Sequence, residues 1–248
     1  MKDLLKRFAR TTADGLRAVL FPRRCVGCGK LLDEENNAFL CAACTGKWVS
    51  ASQSACPGCG RNPHACRCVP RAHGGKISCY RYAVPYRSEP VKTILLRMKG
   101  KPDTDAVRFL GGQCALLCEA VIAEYGFDRE ECVITAPPRT RQKRAESGTD
   151  QGVALARECA FLTGIPFAEL LERTAEGQEQ KKLSAGERLE NAKSSVRLRH
   201  GAERRLYGRH TILIDDILTT GATANACASV LTDAGAADVF CVTAAKTY

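Results

Sequence analysis

The 248-residue chain is short of aromatic side chains, 6% in all, with one tryptophan, Trp48, and two methionines. Proteins that grip single-stranded nucleic acid without reading its sequence stack bases on aromatic rings. In the cysteine-rich part of the chain Phe39 and Trp48 alone could do so, so an extended stacking platform is not expected there. No stretch approaches the roughly eighteen consecutive apolar residues of a membrane helix, so no membrane span is expected. The opening stretch, MKDLLKRFARTTADGLRAVLFPRR, has charges every few positions and no apolar leader core, which argues against a secretory signal. A cytoplasmic protein with reduced thiols is the expectation, in spite of fifteen cysteines. No repeat of solenoid length is present, apart from recurring cysteine pairs. Acidic residues are also in deficit, 27 against 37 Lys and Arg, and the net charge of +10 favours an anionic partner, a phosphorylated metabolite or a nucleic acid.

The chain divides by composition into three parts. Residues 1–24 carry seven basic residues, with Leu4, Leu5, Phe8, Leu16, Val19 and Leu20 near helical spacing, and are expected to form a basic amphipathic helix packed on its own protein. Residues 25–70 hold four cysteine pairs amid Gly, Pro and Asn, with little periodicity. Such a segment has no apolar core of its own, so something else must hold it. Residues 76–248 alternate strand-like and helix-like patterns. Strands are expected at 76–84, 131–138, 211–217 and from 238, with helices at 88–99, 105–126, 149–164 and 221–235. That alternation predicts an α/β fold, a mostly parallel sheet flanked by helices, with ligands bound beyond the carboxyl ends of its strands.

The pairs are Cys25/Cys28, Cys41/Cys44, Cys56/Cys59 and Cys66/Cys68. A Cys-x2-Cys knuckle turns two thiolates toward one tetrahedral ion, and Gly29 and Gly60 follow the knuckles where the turn needs backbone freedom. Two structural zinc ions in sequential four-cysteine sites are expected, with interleaved pairing and an iron–sulfur cluster as alternatives. His64 is close enough to replace a ligand but reads as a solvated loop residue. Closed four-sulfur sites leave no open position for zinc catalysis. Cys79, Cys114, Cys118, Cys132, Cys159, Cys227 and Cys241 sit in apolar patterns and read as small core residues.

The densest chemistry lies in ILIDDILTTGATANA, residues 212–226. Neighbours on a strand point to opposite faces, so Asp215 and Asp216 line one crevice if the strand breaks at them. Carboxylates there can accept hydrogen bonds from ribose hydroxyls or hold a magnesium ion that is itself bound to phosphate. Thr219, Thr220, Gly221, Ala222 and Thr223 follow at a helix N-terminus, where free amides and the positive helix end suit a phosphate monoester. Together they describe a site for a sugar 5-phosphate.

Thr211 to Thr223 resembles the 5-phosphoribosyl-1-pyrophosphate (PRPP) signature of type I phosphoribosyltransferases. With the cysteine pairs ahead of it and Arg173, Thr174, Gln180, Leu183, Arg188 and Asn191 between, the chain from about 25 to 248 resembles the ComF family, associated with competence and DNA uptake in bacteria. The resemblance implies a type I phosphoribosyltransferase-like fold, PRPP bound with Mg2+, ribose hydroxyls on Asp215 and Asp216, and the 5-phosphate on Thr219–Thr223. It implies a pyrophosphate loop at PPRTRQKR, with Arg139 and Arg141 foremost and Lys143 and Arg144 behind. It also implies partners in single-stranded DNA and the DNA-uptake or helicase proteins. The family's Arg-Gly-Phe-Asn-Gln is here Ser147-Gly148-Thr149-Asp150-Gln151, so the acceptor side is altered while the PRPP side is kept; Lys99 matches a family lysine without its aromatic neighbour. Residues 174–190 read as a lid over bound PRPP. A protein that binds PRPP without catalysis, its ribbons engaging DNA or uptake proteins, and ribbons that serve purely as a cap or docking surface are the alternatives.

Overall fold

The structure is a computed structural model that describes residues 22–32, 38–70, 74–98, 104–139, 150–174 and 195–248. Residues 1–21 of the expected N-terminal helix, Arg141, Lys143, Arg144, Lys99 and nearly all of the expected lid therefore lie outside the described residues.

A four-stranded, fully parallel sheet runs in the order β1 (Cys79–Pro85), β6 (Asp238–Lys246), β5 (His210–Leu218), β2 (Cys132–Thr135). The connections are helical: α2 (Val91–Arg97) and α3 (Thr104–Tyr125) join β1 to β2, and α6 (Ala222–Asp233) joins β5 to β6. Between β2 and β5 come α4 (Gln151–Thr163), a two-stranded antiparallel pair, β3 (Leu171–Arg173) with β4 (Val196–Leu198), and the short α5 (Glu203–Leu206). The expected α/β class with a mostly parallel sheet is what the chain adopts.

Side-chain alternation explains why the strands read as continuous apolar runs. Ile212, Ile214, Phe240 and Val242 join one core with α3 and α4, while Leu213, Val239 and Cys241 join the other with α6. All seven cysteines outside the pairs are buried, as expected of small core residues. Helix ends follow local chemistry: Asp150 caps α4 by accepting from the Val153 amide, and Gly126 and Gly164 end α3 and α4 at positive φ. By length and composition α3 could span a membrane; here it packs on α4, β1 and β6.

Two features depart from the sequence reading. The segment 25–70 contains a three-turn helix, α1 (Ala42–Gln53), which begins inside the second cysteine pair. Its weak amphipathic pattern hid it, because three residues, Cys44, Trp48 and Ala51, make its buried side. With Cys25, Val26 and Leu40 these belong to the same apolar core as α3 and β1, so the ribbon borrows the sheet's core. Secondly, β5 does not break at the acidic pair. Asp215 pairs with Thr243 and Ile217 with Ala245, and the ladder to β6 carries the strand on to Leu218.

Candidate functional site

The carboxyl ends of β5 and β2 meet the N-termini of α4 and α6. Although β5 runs on, its two acids remain linked: the Asp216 amide donates to Asp215 Oδ1 at 2.9 Å, and the Ile217 amide to Asp216 Oδ1 at 2.8 Å. Burial, and then the neighbouring Asp216 charge, lift the Asp215 carboxyl well above the ordinary range. Arg139, four residues past β2, faces the acids. Its guanidinium lies 3.6 Å from Asp216 Oδ2 and 3.6 Å from Asp150 Oδ1, and donates to Gln151 Oε1 at 2.6 Å.

Gln151 in turn donates to the Met98 carbonyl, so the first residue of α4 orients Arg139 from a buried position. A Cβ on Gly152 would lie 3.6 Å from Asp150 Oδ1 and 3.8 Å from Asp215 Oδ1, which places the start of α4 beside the acids. Arg173 supports the same corner by donating from Nε to the Pro138 carbonyl and from Nη1 to Ser195 Oγ.

The β5–α6 turn carries Thr219 and Thr220, both exposed, then Gly221 at φ +83° as the residue before the helix. Ala222 and Thr223 form the first turn of α6, and the Ala222 amide is 3.4 Å from Thr220 Oγ1. Exposed hydroxyls and a helix start beside carboxylates and a guanidinium can hold an anion and sugar hydroxyls at once. The turn is braced by a residue that sequence reasoning missed, Asn225. It is 1% exposed, donates to the Gly221 carbonyl at 2.9 Å, and accepts from the Gly74 amide at 2.8 Å and the Tyr80 hydroxyl at 3.2 Å. Its signal was an amide residue amid alanines on the buried side of α6. Of the proposed pyrophosphate residues, Arg139 reaches the acids and Arg141 is outside the described residues.

The cysteine pairs assemble sequentially, Cys25, Cys28, Cys41 and Cys44 in one site and Cys56, Cys59, Cys66 and Cys68 in the other, with all sulfurs of each set within 4.8 Å of one another. Four sulfurs about 2.3 Å from a tetrahedral zinc lie about 3.8 Å apart. The Cys28–Cys41, Cys56–Cys68 and Cys59–Cys66 separations are 3.7, 3.9 and 3.8 Å. The donor set and spacing fit structural zinc, and they are too tight for a cluster whose sulfurs bind separate irons. His64 is exposed and outside both sets. Burial alone would raise Cys25 and Cys56, but amides outweigh it: those of Cys41, Cys28 and Gly27 lower Cys25 to about 6, and those of Gly58 and Cys59, with neighbouring thiols, lower Cys56 to about 6.

No curated protein matches the chain. Among solved structures it is similar to an allosteric regulatory enzyme of purine biosynthesis, at 20% identity over 55% of this chain and 25% of that one, with a TM-score of 0.35. The glutamine PRPP amidotransferase of B. subtilis gives 19% identity over 55% and 25%, with a TM-score of 0.35. The PRPP synthetase of Mycobacterium smegmatis gives 21% identity over 54% and 33%, with a TM-score of 0.34. The chain thus spans a quarter to a third of the length of these structures, and likeness at that level carries no functional conclusion. The family model of the double zinc ribbon domain matches residues 16–83, the span that includes all eight paired cysteines.

Proposed function

We propose that the chain is a ComF-like, phosphoribosyltransferase-type protein that binds PRPP with Mg2+ at the corner between β5, α6 and α4. The observation that carries this reading is the convergence of Asp215, Asp216 and Arg139 at the carboxyl end of β5, one turn before the Thr219–Thr223 segment. Asp215 and Asp216 accept the ribose hydroxyls, Thr219–Thr223 hold the 5-phosphate, and Arg139 with Arg141 takes the pyrophosphate. Arg139 must exchange Asp216 for the incoming anion, which frees that carboxylate for ribose. Magnesium, when bound with PRPP, neutralises pyrophosphate and makes it a better leaving group. Phosphoribosyl transfer to an acceptor is the activity this arrangement suits, with charge at the departing pyrophosphate stabilised by the Arg139 guanidinium.

By the same resemblance the protein acts in the cytoplasm in competence and DNA uptake, with residues 1–24, 25–70 and 76–248 as its three parts and single-stranded DNA or uptake and helicase proteins as partners. The second reading is a PRPP-binding module without catalysis. It is favoured by Asp150, which stands where the family has asparagine and adds a third carboxylate beside Arg139. Calorimetric titration of PRPP with Mg2+ into the zinc-loaded protein tests the site. Binding that is lost in Asp215→Asn/Asp216→Asn supports it; no binding to the folded wild type refutes it. Product formation with base or amine acceptors separates the two readings.

A further inference from the structure

Lys246 ends β6 and is 5% exposed. Its Nζ donates to the Cys68 carbonyl at 3.0 Å and lies 5.2 Å from the centre of the Tyr82 ring and 5.6 Å from that of Tyr248. No carboxylate pairs with it among the described residues. A buried ammonium without a counter-charge is costly, and a carbonyl with two ring faces offsets that cost in part. The missing negative charge has a source close by. The Tyr82 and Tyr248 hydroxyls hydrogen-bond each other, and the three side chains Cys56, Cys66 and Tyr82 form one buried cluster with Cys68 packed against it. Four thiolates on one divalent zinc make a net negative centre, and Lys246, held on the Cys68 carbonyl, stands beside it as the counter-charge.

The same residues form a wall of the β5–α6 turn. A cavity of about 440 Å³ is lined by Cys56, Cys68, Pro70, Thr219, Thr220 and Lys246, among others, and by no cysteine of the first site. Two residues beyond the ligand Cys68, Pro70 presses on the turn so closely that a Cβ on Gly221 would stand 2.5 Å from Pro70 Cγ. The turn is thus held on one side by Asn225 and on the other by a proline whose place depends on Cys68.

We propose that Lys246 is a positioning residue that braces the second four-cysteine site from outside its ligands, and that zinc there, acting through Pro70, fixes the β5–α6 turn, so that metal at this site and a phosphate ester at the turn bind cooperatively. The phosphate half rests on the function proposed above; the metal half does not. By reciprocity, the factor by which bound zinc strengthens phosphate binding is the factor by which bound phosphate strengthens zinc binding.

The test uses the full zinc-loaded chain and follows release of two zinc equivalents to a chromogenic chelator. Lys246→Met keeps most of the side-chain length and removes the charge; it should speed release of one equivalent by about 10–100-fold, the usual scale for residues that support metal ligands, while Lys246→Arg stays near wild type. Loss of that equivalent should speed amide exchange across Thr219–Thr223 and weaken binding of ribose 5-phosphate. Pro70→Gly should loosen the turn with zinc release unchanged. Equal release in wild type and Lys246→Met, or acceleration of both equivalents together, overturns the role of Lys246. Turn exchange that ignores zinc loss overturns the coupling. Ribose 5-phosphate that fails to bind wild type while release and exchange behave as expected refutes the phosphate reading alone, and the link from metal to turn stands.

Discussion

At Asp215 burial and the adjacent Asp216 charge both favour the protonated form, with Arg139 the opposing cation. The folded state therefore holds a proton that the unfolded chain gives up near pH 4, and stability falls as pH rises from there toward the raised folded value. Asp215→Asn removes that loss. Its melting temperature relative to wild type should climb as pH rises above about 4, because the wild type loses stability for as long as its folded state keeps that proton. A flat difference would mean the carboxylate is ionised throughout. Gly221 is a second residue where one change should be decisive. It combines φ +83° with Pro70 against the missing Cβ, whereas Gly164, at φ +73°, has open space. Gly221→Ala should cost about 2–4 kcal/mol and Gly164→Ala about 1–2 kcal/mol by urea unfolding. Equal costs would show that Pro70 yields freely.

Among the elements, α3 meets β1 through a buried charge. Arg81, 1% exposed, donates to Glu124 Oε2 at 2.7 Å, and Arg67 of the ribbon donates to the same carboxylate at 2.9 Å. Arg81, with Arg67 behind it, holds Glu124 below its ordinary value. Its contribution is present above about pH 4.3 and is lost as pH falls through the lowered value. Glu124→Gln leaves Arg81 buried without a counter-ion. Because Glu124 is partly solvated, the expected cost is roughly 1–3 kcal/mol at pH 7, narrowing below pH 4, by denaturant titration across pH. Elements with strong periodic signals were legible in the sequence: the four parallel strands and α2, α3, α4 and α6 stand within a few residues of their expected spans. So were the cysteine sets, since ligand spacing is a local property. The helix α1, the β3–β4 pair, and Asn225 and Lys246 were not, because each is fixed by what packs on it across the fold. The unbroken β5 has the same cause, as its end is set by pairing with β6.

For the molecule as a whole, the shared core means that zinc holds more than the ribbon. Trp48 lies edge-on to Phe109 of α3 at 4.7 Å, and its Nε1 donates to Gln113 Oε1 at 3.2 Å. Chelation should therefore shift Trp48 emission to the red and lower sheet stability in the same transition, read by fluorescence and circular dichroism together. Intact sheet signal after the shift would show two separable units. The strand order has a further effect, on the growing chain. Among the described residues β1 pairs with β6 alone, and roughly 150 residues separate Pro85 from Asp238. At about 5–20 residues per second, a ribosome needs on the order of ten to thirty seconds to deliver that partner. The metal knuckles, complete by Cys68, can close well before then, so the nascent chain carries loaded ribbons beside an apolar strand that still waits for its neighbour, a window in which a chaperone has work to do.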